Sequence, residues 1–173
     1  MADPYPLDAP AELAPRDIAE AWRREAPGTP VDSIPVVTPV FRLAKLLADD
    51  RRRLLASEGI DGATLDLLST LRRSGEPYTV STRDLAERCL VTAGAISQRV
   101  ARAERDGLVE RNRPSGKTVW VRLTNAGHRL VESVVDRLLR RELALLDGLE
   151  PADRDRLATL LGSWLDDVRA RVG

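Results

Sequence analysis

The 173-residue sequence predicts a mainly α-helical protein with one short β-ribbon. Residues 82–107 contain two helical stretches separated by a short turn, and residues 108–123 contain two β-rich runs joined by Pro114-Ser115-Gly116. Long stretches with apolar residues at helical spacing flank this region on both sides. Because aromatic residues make up only 3% of the chain, we expect a core of Leu, Val and Ala.

The N-terminal region is predicted to contain two helices. The first ten residues are rich in Pro and Asp, and we expect them to be disordered. A helix over Pro15–Glu25 has Pro in its first turn and ends at Pro27-Gly28. A longer helix follows over about Val36–Ser57, so residues 11–60 form an N-terminal helical region.

The central region, residues 61–124, has the pattern of a winged helix-turn-helix. A helix begins near Asp61 and ends at Ser74-Gly75, and another covers Thr82–Cys89. After a turn, Thr92 can cap a further helix that Gly107 ends. The runs Leu108–Arg113 and Thr118–Leu123 then form a two-stranded β wing. In such an arrangement the second helix of the motif enters the major groove of DNA, so this region is predicted to bind DNA.

Residues 125–173 are predicted to form two more helices. Thr124-Asn125 caps a helix of about twenty residues, and Pro151 begins the last one. Apolar residues form broad stripes on both helices, and an intramolecular core is one interpretation. However, helices outside a winged helix have little partner surface in their own subunit. We therefore predict that the N- and C-terminal helices together form a homodimerisation region.

Charge is balanced over the whole chain but not over its central region. Lys and Arg equal Asp and Glu at 27 each. Between Thr82 and Arg122, however, nine basic residues stand against five acidic ones, a net charge of about +4. This local excess favours contact with the phosphates of DNA.

The composition also excludes several other classes of protein. With one histidine (His128) and one cysteine (Cys89), the chain has little from which to build a metal site or a catalytic triad, so we predict neither an enzyme nor a cofactor. Cys89 is expected to be a small buried apolar residue. The sequence shows no apolar run long enough for a membrane span and no secretory signal, which predicts a cytoplasmic protein.

The predicted DNA-binding residues lie at the start of the second helix of the motif and in the wing. Small side chains allow close approach to the groove, Gln98 can bind adenine in a bidentate manner, and cations can bind phosphate or guanine. The set comprises Thr92, Ala93, Gly94, Ser97, Gln98, Arg102, Arg113 and Lys117. Alternatively, Arg102 and Lys117 are only solvated charges.

The run DLAERCLVTAGAISQRVARAERDGLVERN, followed by VRLTNAGHRLV, resembles the MarR family of winged-helix regulators. The added N-terminal helix with a tryptophan resembles the urate-responsive branch of that family. That resemblance implies a ligand set consisting of Trp22, Asp66, Arg99 and Arg111. An indole N–H and guanidinium groups can bind a planar anionic heterocycle, and Arg99 would transmit the ligand's effect to the DNA-binding helix.

Structural roles for the same four residues remain alternatives. Asp66 and Arg111 can form an ion pair, Arg99 can contact phosphate, and Trp22 can fill the core. The wing departs from the family pattern, because Arg113-Pro114-Ser115-Gly116-Lys117 lacks the Asp-x-Arg motif at its tip. This favours a phosphate contact by Lys117 over insertion of an arginine into the minor groove.

Together these features predict a homodimeric regulator of transcription. Its expected partners are a palindromic duplex operator and a small anionic or aromatic effector (urate-like, phenolic or antibiotic-like) that weakens operator binding, as in a repressor. The alternative is a winged-helix module that binds another protein and shows no sequence-specific binding to DNA.

Overall fold

The computed structural model describes residues 13–113 and 118–172. The predicted disordered N-terminus and the tip of the wing, including Lys117, lie outside these ranges. The chain divides into two compact units, the first ending at Gly59 and the second beginning at Ile60.

The first unit contains two helices, α1 (Pro15–Glu25) and α2 (Ile34–Ser57), which pack against each other. α1 has the predicted bounds, with Pro15 as its first residue, and Ala19 is buried. α2 begins two residues before the predicted start, because Ile34 and Pro35 already lie in its first turn. Several large apolar side chains of α2 are exposed, namely Val36, Phe41, Leu43, Leu46 and Leu47.

The second unit contains five helices and one sheet. Its helices are α3 (Gly62–Arg73), α4 (Thr82–Arg88), α5 (Ala93–Arg105), α6 (Asn125–Ala144) and α7 (Pro151–Val172), and its strands are β1 (Thr79–Ser81), β2 (Val109–Asn112) and β3 (Trp120–Leu123). Four of these helices begin at the residues that local signals predict. Side chains of Ser81, Thr92 and Thr124 cap α4, α5 and α6, and Pro151 begins α7.

The sheet has three antiparallel strands in the order β1-β3-β2, so the prediction of a two-stranded wing was incomplete. β1 pairs with β3 through Val80 and Val121, and β2 pairs with β3 through Val109 and Leu123. A three-residue strand is too short to show an alternating pattern, and its partner lies about forty residues further along the chain. This is why β1 was missed.

Leucine and valine fill most of the core of the second unit, as predicted, and Ile96 adds to them. The largest fully buried side chains are Leu67, Leu68, Leu71, Leu85, Ile96, Val100, Val109, Val121, Val131 and Val134. They come from α3, α4, α5, α6 and the sheet. By contrast, α7 has no buried residue. Its apolar stripe is therefore not part of the core of the described chain.

Candidate nucleic-acid interface

Helix α5 has one buried face and one exposed face. Ile96, Val100 and Ala103, spaced four and three residues apart, are buried. The predicted contact residues at its start are exposed, namely Thr92, Ala93, Gly94, Ser97 and Gln98. The core thus holds α5 by one side and leaves a row of small and polar side chains facing outward.

Hydrogen bonds fix the first turn of α5. The Thr92 hydroxyl accepts a hydrogen bond from the Ala95 amide at 3.2 Å, so Thr92 acts as the predicted cap. The Ser97 hydroxyl donates to the Ala93 carbonyl at 2.8 Å. In this arrangement its oxygen can still accept a hydrogen bond from outside the helix. The exposed end of α5 is therefore well ordered.

Two ion pairs connect α5 to α3. An Nη1 atom of Arg99 lies 3.0 Å from Oδ2 of Asp66, and Nη1 of Arg102 lies 2.8 Å from Oδ2 of Asp61. Asp66 therefore pairs with Arg99, and the alternative that it pairs with Arg111 was wrong. Arg102 is not simply a solvated charge either, because the carboxylate of Asp61, the residue directly before α3, pairs with it.

Asp61 has two roles at the start of α3. Its Oδ1 atom accepts a hydrogen bond from the Thr64 amide at 2.8 Å, which caps the helix, while Oδ2 faces Arg102. The hydrogen bonds from Thr64, together with the charge of Arg102, lower the pKa of Asp61 below its ordinary value. The carboxylate is therefore held in its charged form.

A cleft of about 360 Å³ lies between the first turn of α3 and the exposed side of α5. Its lining combines three arginines, one carboxylate and an amide: Asp61, Ala63, Thr64, Ala95, Gln98, Arg99, Arg102 and Arg105. Its volume is in the range of small-molecule sites.

Arg111 is held at the opposite end of α5. Its Nε atom donates to Oε2 of Glu104 at 2.7 Å, and its Nη2 atom donates to the same oxygen. The backbone amide of Arg111 donates to Oε1 of Glu104 at 3.3 Å. The Arg111 guanidinium lowers the pKa of Glu104. The two arginines of the predicted ligand set thus pair with different carboxylates, Arg99 with Asp66 on α3 and Arg111 with Glu104 on α5.

The other predicted residues belong to other elements of the chain. Trp22 belongs to α1 in the first unit, and about half of its side chain is exposed (52%), so it does not fill a core. Arg113 follows β2 and is exposed. Cys89 is buried, its thiol lies 3.6 Å from the Thr70 hydroxyl, and burial raises its pKa.

Sequence reasoning missed the acidic partners of the arginines, Asp61, Asp66 (as partner of Arg99) and Glu104. The sequence offered one signal for these partners, namely that Asp61 directly precedes a helix. This position predicts a helix cap and not an ion pair. The pairs join residues 7 to 41 positions apart, so only the packing of α3, α5 and β2 brings them together.

None of the helices in residues 13–113 and 118–172 is both long enough and apolar enough to cross a bilayer. In the same part of the chain, no group of three His, Cys, Asp or Glu side chains is placed to hold a metal ion.

Comparison with known proteins gives consistent results. Residues 58–117 match the model of the MarR family. The HTH-type transcriptional regulator PecS of Dickeya dadantii (strain 3937) is 26% identical over 148 residues, which are 84% of this chain and 89% of that protein.

Solved structures of similar proteins have the same fold. A MarR family protein from Bacillus stearothermophilus is 20% identical with a TM-score of 0.66, and the match covers 91% of this chain and 99% of that one. NadR in complex with 4-hydroxyphenylacetate is 22% identical with a TM-score of 0.57, covering 73% and 89%. The family and PecS are regulators and not enzymes, in agreement with the sequence prediction. The chain thus has a winged-helix fold, its residues 58–117 match the MarR family, and over most of its length it is similar to the transcriptional regulator PecS.

Proposed function

We propose that this chain is a homodimeric repressor that binds a palindromic operator through α5 and releases it when a small anionic or aromatic ligand binds. The exposed row at the start of α5 is the observation that carries the proposal. Small side chains and one amide project from a helix whose other face is buried. This is the geometry required for insertion into a major groove, where Gln98 can pair with adenine.

The cations near α5 supply phosphate contacts in this proposal. Arg102 lies one turn beyond Gln98, and Arg113 lies at the end of β2. In the free protein Asp61 neutralises Arg102. A phosphate must therefore replace this carboxylate as the partner of the guanidinium. Lys117 would add a further phosphate contact from the wing.

Exposed apolar surface supports the homodimer. On α7 the large apolar side chains that lie at helical spacing are all more than a third exposed: Leu157, Leu160, Leu161, Trp164, Leu165 and Val168. A contiguous apolar stripe of this size indicates a surface that a partner covers. A second copy of the chain would place two α5 helices on one duplex, which accounts for a palindromic operator.

The pair of Asp66 and Arg99 supports the ligand response. An anion that binds Arg99 competes with Asp66 for the guanidinium, and Arg99 belongs to α5 itself. The ligand then favours a different arrangement of α5 to the extent that it binds that arrangement more tightly. Trp22 and Arg111 complete the proposed ligand set. NadR in complex with 4-hydroxyphenylacetate shows that a protein of this fold binds an aromatic carboxylate.

The test is a gel shift with the duplex that lies upstream of the protein's own gene. Urate, xanthine, salicylate and 4-hydroxyphenylacetate are titrated against the wild-type complex. At least one of them is expected to release the duplex, and Trp22→Ala and Arg99→Ala should each require about tenfold more ligand, the effect of losing one charge-assisted hydrogen bond.

The matched control is Arg171→Ala, which removes an exposed arginine that pairs with Asp167 at the end of α7. It should respond like the wild type. If Trp22→Ala and Arg99→Ala release DNA at the wild-type ligand concentration, the four-residue ligand site is wrong. If the wild type binds no duplex, the proposed repressor function is wrong.

A further inference from the structure

Leu90, in the turn between α4 and α5, combines exposure with an unfavourable backbone conformation. Its side chain is 91% exposed, the highest value among the exposed large apolar residues of the described chain. Its φ angle is +53°, in the left-handed region, where a side chain with a Cβ atom is disfavoured. Because so little of its surface is covered by residues 13–113 and 118–172, the Leu90 side chain gains little packing energy from them to offset this conformation.

The ends of α4 and α5 allow a direct comparison. After α4, the Leu90 amide donates to the Glu87 carbonyl and the Val91 amide to the Ala86 carbonyl. After α5, the Gly107 amide donates to the Glu104 carbonyl and the Leu108 amide to the Ala103 carbonyl. Both ends thus form the same motif, in which the left-handed position is usually glycine.

Gly107 occupies that position after α5, with a φ angle of +70°. After α4 the chain has Leu90 instead. The two hydrogen bonds fix the backbone of this turn, and they also fix the direction in which the Leu90 side chain leaves it. An exposed apolar side chain held in this way indicates a contact with another molecule.

The position of Leu90 identifies the kind of molecule. It lies two residues before Thr92, whose hydroxyl caps α5, and three and four residues before the exposed Ala93 and Gly94. Arg88, at the end of α4, is exposed beside it. A duplex that receives the first turn of α5 presents two apolar groups there, the thymine methyl group and the deoxyribose carbons.

We propose that Leu90 contacts the operator directly and contributes to its recognition through this apolar surface. The inference rests on the proposed function, because it requires that α5 binds DNA. The contact neutralises no phosphate, so its loss should lower affinity without changing the dependence of binding on salt.

The experiment measures duplex affinity by fluorescence anisotropy over a range of salt concentrations, together with the Tm of each protein. The duplex is one selected from a random-sequence library with the wild-type protein. Leu90→Ala and Leu90→Gly should bind about fivefold to tenfold more weakly at an unchanged salt slope. Leu90→Met should bind like the wild type.

Leu90→Gly should also raise the Tm by about 2–4 °C, because glycine adopts this backbone conformation without strain. Stability and affinity then move in opposite directions, which a purely structural role cannot produce. Arg102→Ala serves as a contrast, since loss of a phosphate contact should lower the salt slope by about 1.

Replacing thymine by deoxyuridine, which lacks the methyl group, separates the two forms of the contact. If the wild type loses affinity for the deoxyuridine duplex and Leu90→Ala does not, Leu90 contacts the thymine methyl group. If the wild type loses no affinity, Leu90 contacts the deoxyribose carbons. If Leu90→Ala and Leu90→Gly bind like the wild type, or if their salt slope falls, the inference is wrong while the proposed function stands. If the wild type itself shows no preference for the selected duplex, both are wrong.

Discussion

Arg99 and Arg102 show that the charge of a DNA-binding helix depends on its neighbours in space. Both lie on α5, and each faces a carboxylate, Asp66 within α3 or Asp61 at its N-terminal cap. Exposed ion pairs of this kind stabilise a fold by about 0–1 kcal/mol. Their larger effect is on binding, because a phosphate competes with the carboxylate for the same guanidinium.

Asp61→Asn tests this competition. Asparagine is as good a helix cap as aspartate, so α3 should keep its first turn while Arg102 loses its ion pair. We expect duplex affinity to rise by about twofold to fivefold, as for the loss of an exposed ion pair, when it is measured by anisotropy. Asp136→Asn, which removes the partner of Arg140 on α6, should leave the affinity unchanged. An unchanged affinity in Asp61→Asn would show that Asp61 does not restrain Arg102.

The same residue predicts a dependence of stability on pH. The pKa of Asp61 is lower in the folded chain than its ordinary value of about 4, so its charged form stabilises the fold above that value. This contribution is lost as the pH falls through the folded-state pKa.

Urea denaturation should therefore show Asp61→Asn to be less stable than the wild type by about 0.5 kcal/mol near pH 6, because nearly half of the Asp61 side chain is exposed and solvent screens its charge. The difference should shrink as the pH falls below the ordinary pKa of an aspartate, and it should disappear once the pH is below the lowered folded-state pKa of Asp61, where both side chains are neutral. A gap that persists or widens at low pH would contradict this account.

At the scale of elements, the sequence predicted what depends on local signals. Thr92, Thr124, Gly107 and Pro151 each act on residues within one turn, so both ends of α5 and the starts of α6 and α7 could be derived from the local sequence. β1 could not be predicted, because its three residues form a strand only through pairing with β3. The acidic partners of the arginines were missed for the same reason.

Gly127, in the first turn of α6, shows how closely two elements approach. A Cβ atom at this position would lie 2.1 Å from the Leu108 carbonyl oxygen and 3.1 Å from a methyl group of Leu123. Because the nearer atom belongs to the backbone, α6 would have to move away from the strands. We expect Gly127→Ala to lower the free energy of unfolding by at least about 2 kcal/mol in urea denaturation.

Gly62→Ala provides the control for this substitution. A Cβ atom on Gly62, the first residue of α3, has no atom within 4 Å, and alanine favours the helix. Its stability should equal or slightly exceed that of the wild type. If Gly127→Ala is as stable as Gly62→Ala, α6 does not pack against the strands as described.

At the scale of the whole molecule, α7 shows what a single chain leaves incomplete. Its apolar residues lie at helical spacing, as the sequence predicted, yet none of them is buried. Sequence patterns show that a helix has an apolar face, but they do not show whether that face is buried by the same chain or by a second copy. The proposed homodimer predicts that a second copy covers this stripe.

Leu160→Glu tests it by placing a charge on the apolar stripe of α7, where Leu160 is 60% exposed. Sedimentation equilibrium should show that the dissociation constant of the dimer rises at least about tenfold, because an unpaired charge at an interface is costly to desolvate. Thr159→Glu, on the neighbouring exposed position, should leave the dimer intact. Equal dissociation constants for the two variants would exclude α7 from the interface.

The most direct test of the central claim is the affinity of the wild-type protein for duplex DNA as a function of salt. A selected duplex and a scrambled duplex of the same length are compared between about 50 and 200 mM salt. The account predicts a clear preference for the selected duplex, and an affinity that falls steeply, by at least about a hundredfold over this range, as several phosphate contacts are screened. Equal affinity for the two duplexes, or no dependence on salt, would contradict it.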